Sequence, residues 1–395
     1  MSGKTHALCM VGLVFFGLLS AVPHALAASE GPSALDLALL NASQKDNLIG
    51  ARLALARGAD PDAAEVSSGW RALHFFAATG HVRAVRALLA AGADINALAA
   101  DGRTPLMQAA HDNRLEVVQV LIESDATVTL FERRAGEAAL HIAARRASAE
   151  VVDELLTAGA DIGARSAEAG RTPLIEAAGT RSETGFEVLA LLLDRQADVN
   201  AQAGDGSTAL MAAALRGQLD RAGRLLGAGA DLALADAKGW RALHHAADAG
   251  ATDMVELLLA VGAEVDAPTE DQSSALGLAI GVGKAPLAFR LLAHGADPNG
   301  LGLEGRSPLL EAARLSQEDV LIALLAAGAK PNGDATSEGW TALMWAAGLG
   351  LEQGVNALLK AGADTSARGT EGESAADAAF KAGYVSLGAR LRALE

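Results

Sequence analysis

Apolar residues fall in short paired blocks along this chain. In one stretch Leu106, Met107, Ala109 and Ala110 form a first block, and Val117, Val118, Val120, Leu121 and Ile122 form a second. The spacing within each block is that of one helix face. Thr104-Pro105 stands before the first block and places a hydroxyl at the N-cap and a proline at the first helical position. A glycine such as Gly92 closes the second block of a pair, where a left-handed turn stops a helix. Asp94 and Asn96 then lead the chain into the next pair. No run alternates Val, Ile or Thr with polar residues as a strand would. The pattern predicts an all-α protein of paired helices joined by loops.

The pairs repeat on a fixed period. Gly-Ala-Asp begins at Gly58, Gly92, Gly159, Gly229, Gly295 and Gly362, with degenerate copies at Asp125, Gln196, Gly262 and Gly328. Successive starts lie 34, 33, 34, 37, 33, 33, 33, 33 and 34 residues apart. A Leu-x-x-Ala-Ala-like stretch follows each one, as in Leu243-His244-His245-Ala246-Ala247, and then a Leu-Leu pair, as in Leu257-Leu258. This wording resembles the ankyrin repeat family from about residue 33 to 395, most closely in Gly102-Arg103-Thr104-Pro105-Leu106 and Gly170-Arg171-Thr172-Pro173-Leu174. The resemblance implies a solenoid of stacked helix-turn-helix units joined by hairpin-like loops, in which each unit buries its apolar face against its neighbours. It specifies a fold far more sharply than a function.

The expected organisation is a leader at 1–27, then a linker and irregular N-terminal capping unit at 28–63. Nine repeats at 64–367 follow, and a capping unit at 368–395. Three departures stand out. The unit at about 165–201 carries extra polar residues within 181–185, which read as surface decoration. The unit around Ser273 and Ser274 lacks the loop glycine and places Pro286 in its second helix, which predicts a weak point in the stack. In the family a Thr hydroxyl and a His three residues on support each other. Here His74, His141 and His244 occupy the His position, but Arg71, Ala138 and Arg241 replace the Thr. The pattern leaves open what takes over that hydrogen bond.

Composition adds location and charge. Apolar residues make up 51% and aromatics only 3%, which suits thin layers of Ala and Leu helices packed closely. Lys4, an uncharged run from Ala7 to Ala21 and Ala25-Leu26-Ala27 read as a secretory signal cleaved after Ala27. Export follows, to the periplasm in a Gram-negative host and otherwise to the medium, with no stable membrane insertion once the signal is gone. Cys9, the lone cysteine, lies in that leader, so no disulfide is expected in the mature chain. Without the leader, 31 basic face 48 acidic residues, a net charge of −17. That balance argues against nucleic acid and anionic membrane as partners.

No motif points to chemistry. There is no His-Glu-x-x-His, no Cys pair, no phosphate-binding Gly loop and no Gly-x-Ser-x-Gly. His244 and His245 are adjacent and point about 100° apart on a helix, a poor chelate. The expected catalytic, cofactor and metal sites are therefore none.

The resemblance implies instead that partners bind along the loop tips and the concave surface lined by first helices. The residue there, between the loop glycine (Gln272 in one unit) and the Thr position, is free to vary and reads Trp70, Arg103, Glu137, Arg171, Ser207, Trp240, Ser273, Arg306, Trp340 and Glu373. Trp and Arg are the types most enriched at interface hot spots. Trp345 lies on a first helix, at a repeat position shared by Phe75 and His245. Layers sit ~8–10 Å apart, so Trp240 and Trp340 are ~24–30 Å apart and Trp70 is ~40–50 Å from Trp240. One compact partner then covers Trp240, His245, Arg306, Trp340 and Trp345, with Trp70 and Arg103 as a second patch. Copying of a unit, or Trp rings packed flat on the next hairpin, would leave the same pattern. The expected function is a monomeric, non-catalytic scaffold for a protein partner in the cell envelope or medium. The alternatives are an inhibitor or immunity-type protein that blocks an exported enzyme or toxin, and an effector that binds a host protein.

Overall fold

The computed structural model describes residues 32–146 and 148–395; the expected leader and its cysteine lie outside the described residues. It contains 22 α-helices in successive pairs and no strand among the described residues. The pairs are α1 (Ala34–Gln44) and α2 (Leu48–Ala56), α3 (Ala72–Thr79) and α4 (Val82–Ala90), α5 (Pro105–His111) and α6 (Leu115–Glu123), and α7 (Ala139–Arg146) and α8 (Ala149–Thr157). Next come α9 (Pro173–Gly179) and α10 (Gly185–Asp194), α11 (Ala209–Arg216) and α12 (Leu219–Gly227), α13 (Ala242–Asp248) and α14 (Thr252–Ala260), and α15 (Ala275–Gly281) and α16 (Ala285–Ala293). The last are α17 (Pro308–Arg314) and α18 (Glu318–Ala326), α19 (Ala342–Gly348) and α20 (Glu352–Lys360), and α21 (Ala375–Lys381) and α22 (Val385–Arg392).

Helices this short are marginal alone, so packing must hold them. Each first helix packs on the first helices of its neighbours, and most second helices do the same with theirs. The Ala pairs make this possible: Ala109-Ala110, Ala177-Ala178, Ala246-Ala247 and Ala346-Ala347 are fully buried and let backbones approach. Buried leucines of the second helices, such as Leu121, Leu258 and Leu324, fill the layer between units. The Asp and Asn residues of the loops tie the units together. Asp62 accepts from the Asp94 N–H at 3.0 Å, Asn96 from Thr127 at 2.9 Å, and Asn332 from Asp364 at 2.8 Å.

The first helices start in two ways. Thr104, Thr172, Thr208 and Thr341 accept the backbone N–H three residues on, as expected of an N-cap. Where Arg or Ala replaces Thr, histidine reaches back instead. Nδ1 of His74, His141 and His244 accepts from the N–H of Arg71, Ala138 and Arg241 at 3.2, 3.2 and 3.1 Å. With Nδ1 accepting, Nε2 must carry the proton. His74 then donates to the Arg103 carbonyl at 3.1 Å, and His141 to those of Ala164 and Arg171, both at 3.0 Å. Each unit thus uses one half of a capping box. Burial holds all three imidazoles below their ordinary pKa, His244 down to about 4.

The loop tips form fingers that bond from unit to unit. The Ser68 carbonyl accepts from Ala100 at 2.9 Å, Asp101 from Arg133 at 3.0 Å, Asp205 from Ala237 at 2.8 Å, and Lys238 from Glu270 at 3.0 Å. Glycine makes this approach possible. Gly239 has φ +76°, and a Cβ there would lie 2.7 Å from the Glu270 nitrogen. Gln272 stands where the other units have glycine and takes φ +61° itself. Among the described residues no tip-to-tip bond joins its finger to the next, whose tip is a 3₁₀ turn at Leu303–Gly305, nor that tip to the finger at 336–340; the first two meet at their bases, where the Ser274 N–H donates to the Leu301 carbonyl at 2.6 Å. The ladder resumes where Glu338 accepts from Thr370 at 2.8 Å. Pro286, by contrast, falls in the first turn of α16, where its missing N–H costs nothing.

The extra residues at 181–185 are not mere decoration. They are clamped from the next unit by Arg221, which is 4% exposed. Its guanidinium donates to the carbonyls of Ala178 at 3.4 Å, of Ser182 at 2.7 Å, and of Thr180.

Candidate functional site

The row residues are matched by partners inside the stack. Trp70 lies against Phe75 with ring centroids 5.0 Å apart, Trp240 against His245 at 5.5 Å, and Trp340 against Trp345 at 5.0 Å. Arg306 Nε donates to Glu311 Oε2 at 2.9 Å. In each case the partner is five residues on, which carries the chain from the finger to the first turns of the helix behind it. Glu137 instead takes both nitrogens of the Arg145 guanidinium, at 2.5 and 2.8 Å, and that pair holds the Glu137 carboxyl below its usual pKa. Arg103 sits 3.5 Å from Asp101.

The five residues expected to form one patch separate into two sets. Trp240 is 5% exposed, and its indole N–H donates to Asp271 Oδ2 in the next unit at 3.2 Å. Lys238 covers its ring at 5.3 Å from the centroid. His245 Nε2 pairs with Asp236 Oδ2 at 2.9 Å. Trp240 is therefore a packing residue rather than the exposed anchor its row position suggested, because the next finger lies flat on it. Arg306, two units further along, comes together with Trp340 and Trp345, three units along.

These three line a cleft of about 1180 Å³ between the fingers and the first helices α17, α19 and α21. It lies beside the finger at 304–306, where the ladder is interrupted. Nothing would meet a Cβ added at Gly305 within 4 Å, whereas one at Gly339 would lie 3.1 Å from the Thr370 nitrogen. Asp334 joins the walls by accepting from the Ser307 N–H at 2.8 Å and from its hydroxyl at 2.5 Å. Trp340 Nε1 donates to Glu373 of the next unit. Two buried polar atoms in the cleft have no hydrogen-bond partner among the described residues, Trp345 Nε1 and Glu373 Oε2. The Glu373 backbone N–H and then the Trp340 indole hold that carboxyl below its usual pKa. Burial tends to raise Glu311, and Arg314 and Arg306 overcome it, so this carboxyl too stays ionised.

Asp334, Glu338 and Lys381 were missed in the sequence because they lie outside the row. Glu373 is a row member, and reading the row in steps of one unit pairs it with Trp340. Among the described residues no group of three or more His, Asp or Glu side chains is placed to hold a metal, and no helix is long and apolar enough to cross a membrane.

Comparison with known proteins agrees with this architecture. The family model for ankyrin repeats (3 copies) matches residues 39–132, 128–203, 182–269 and 276–369. The chain is similar to the B-cell lymphoma 3 protein homolog of Mus musculus, 37% identical over 168 residues, which cover 41% of this chain and 36% of that protein. It is 34% identical over 136 residues to neurogenic locus notch homolog protein 2 of Homo sapiens, covering 31% of this chain and 5% of that one. A probable E3 ubiquitin-protein ligase of Oryza sativa subsp. japonica is 34% identical over 168 residues, covering 41% of this chain and 32% of that protein. The match thus spans about a third or less of each relative. An array of capped helix pairs on a 33-residue period, matched by the family model along most of its length, places this chain in the ankyrin-repeat family, whose repeats engage other proteins.

Proposed function

We propose that this chain is a non-catalytic scaffold that docks a protein partner in the cleft lined by Arg306, Trp340 and Trp345. The observation that carries this is the cleft itself, where two indoles and unpaired polar atoms meet beside an interrupted finger ladder. Trp and Arg anchors in a recess are what hot spots consist of. The scaffold acts outside the cytoplasm, since residues 1–27 read as a cleavable leader, and it works as a monomer. Nucleic acid is not its partner, because a net charge of −16 repels phosphate. The same acidity favours a basic target, which fits an inhibitor of an exported enzyme or toxin better than an effector acting on a host protein. Affinity capture from the envelope fraction, run in parallel with wild type and Trp345→Ala, tests the reading. A partner retained by wild type and lost by the variant supports it. Equal capture by both removes the cleft from the interface.

A further inference from the structure

The cleft's chemistry narrows what enters it. Six carboxylates and three cations line it. Two of the cations, Arg306 and Arg314, are already bound to Glu311, at 2.9 and 2.6 Å. The remaining charge is acidic, around two indole faces.

The equivalent site one hundred residues earlier shows how such an indole is completed. Trp240 carries Lys238, two residues before it, over its ring. Two residues before Trp340 the chain has Glu338. Among the described residues no cation lies over Trp340 or Trp345. The unit that supplies its own cation is bonded to the fingers on both sides, Ala237 to Asp205 and Glu270 to Lys238. The unit that supplies a carboxylate instead is bonded to the next finger through Thr370 and Glu338, and among the described residues it has no such bond to the preceding one at 304–306.

We infer that the cleft seats an arginine or lysine side chain carried on an extended segment of the partner. This rests on the proposed docking site and names the chemistry it selects. The cation lies against Trp340 and Trp345, where a ring quadrupole attracts it. It donates to Glu373 Oε2, the buried carboxylate oxygen that has no partner among the described residues. Trp345 Nε1 donates to a carbonyl of the same segment, which satisfies the second unpaired group. The volume, about 1180 Å³, exceeds the ~300–1,000 Å³ of ordinary small-molecule sites and leaves room for backbone beside the side chain.

The test is fluorine NMR of the full chain labelled with 5-fluorotryptophan, titrated with Ac-Gly-Arg-Gly-NH2, Ac-Gly-Gln-Gly-NH2 and Ac-Gly-Glu-Gly-NH2. The arginine peptide should shift the Trp340 and Trp345 signals saturably in the millimolar range and leave Trp70 and Trp240 in place. Glu373→Gln keeps an acceptor for the Trp340 indole and should weaken that binding about tenfold without lowering the melting temperature. Equal or tighter binding of the neutral or acidic peptide overturns the cation preference while leaving the cleft as a docking site. Silence of Trp340 and Trp345 toward all three peptides overturns both.

Discussion

The indole N–H of Trp240 donates to Asp271 Oδ2 at 3.2 Å, across the junction between two repeats. A residue whose position suggests contact with a partner is instead a rivet between units. Trp240→Ala should lower stability by ~3–5 kcal/mol, the usual cost of removing a buried large aromatic. Trp345→Ala, at a half-buried ring in an open cleft, should cost much less. Chemical denaturation of the two variants checks this, and equal losses would contradict the different placement of the two rings.

His244 predicts how stability depends on pH. Its folded pKa is held down to about 4 by burial, then by His245 and Arg241, against 6.5 in the unfolded chain. The unfolded chain therefore binds a proton that the folded chain refuses. Stability from this group is whole above pH ~6.5 and drains as pH falls toward ~4, by ~3 kcal/mol in all. His74 and His141 are shifted the same way. Replacing Arg241 by Thr and His244 by Met installs the cap that Thr208 and Met211 already use. The surface pair Arg241–Glu264 is lost, at a cost below ~1 kcal/mol. The double variant should melt near wild type at pH 7.5 and fall less steeply between pH 6.5 and 4.5.

The helix pairs were legible because each unit states its own caps, glycines and small residues every 33 positions, and neighbouring units repeat the statement. Local chemistry and global fold agree, so the period alone carries the architecture. The orientation of the tryptophans was not legible. Trp240 and Trp340 share one repeat position and the same neighbours in sequence on their C-terminal side, Ala-Leu after Arg241 or Thr341. What separates them lies elsewhere: Lys238 against Glu338, and a preceding finger that bonds to the Trp240 unit but stands off from the Trp340 unit. The histidine puzzle had a similar source. Where threonine is missing, the imidazole Nδ1 supplies the other half of the capping box by accepting the N–H of the N-cap residue, which a pattern of residue types does not reveal.

Gln272 holds a left-handed backbone where the other fingers use glycine. A side chain there costs ~1 kcal/mol, and at the equivalent Gly239 a Cβ would lie 2.7 Å from the next finger. Gln272→Gly should raise stability by ~0.5–1 kcal/mol, less the entropy glycine adds to the unfolded chain. If the Cβ is what interrupts the ladder, amide exchange should also slow across residues 302–305. A melting temperature below wild type would show that this backbone is relaxed with a side chain present.

Arg221 reaches back one unit to hold the inserted loop, and its buried guanidinium, in no ion pair among the described residues, is lowered in pKa by that burial. The loop's own residues gave no sign of this, because the clamp lies about forty positions away. Arg221→Met keeps the apolar stem but removes the donors to Ala178, Thr180 and Ser182. The freed carbonyls should cost ~1–3 kcal/mol. The loop should also open locally before the stack does, since each repeat leans only on its neighbours. Arg181 is exposed within that loop and is a tryptic site. Limited trypsinolysis of the variant should therefore cut first after Arg181, about tenfold faster than in wild type, while the two halves stay associated. Cleavage at an unchanged rate would mean that the loop keeps its shape without the clamp.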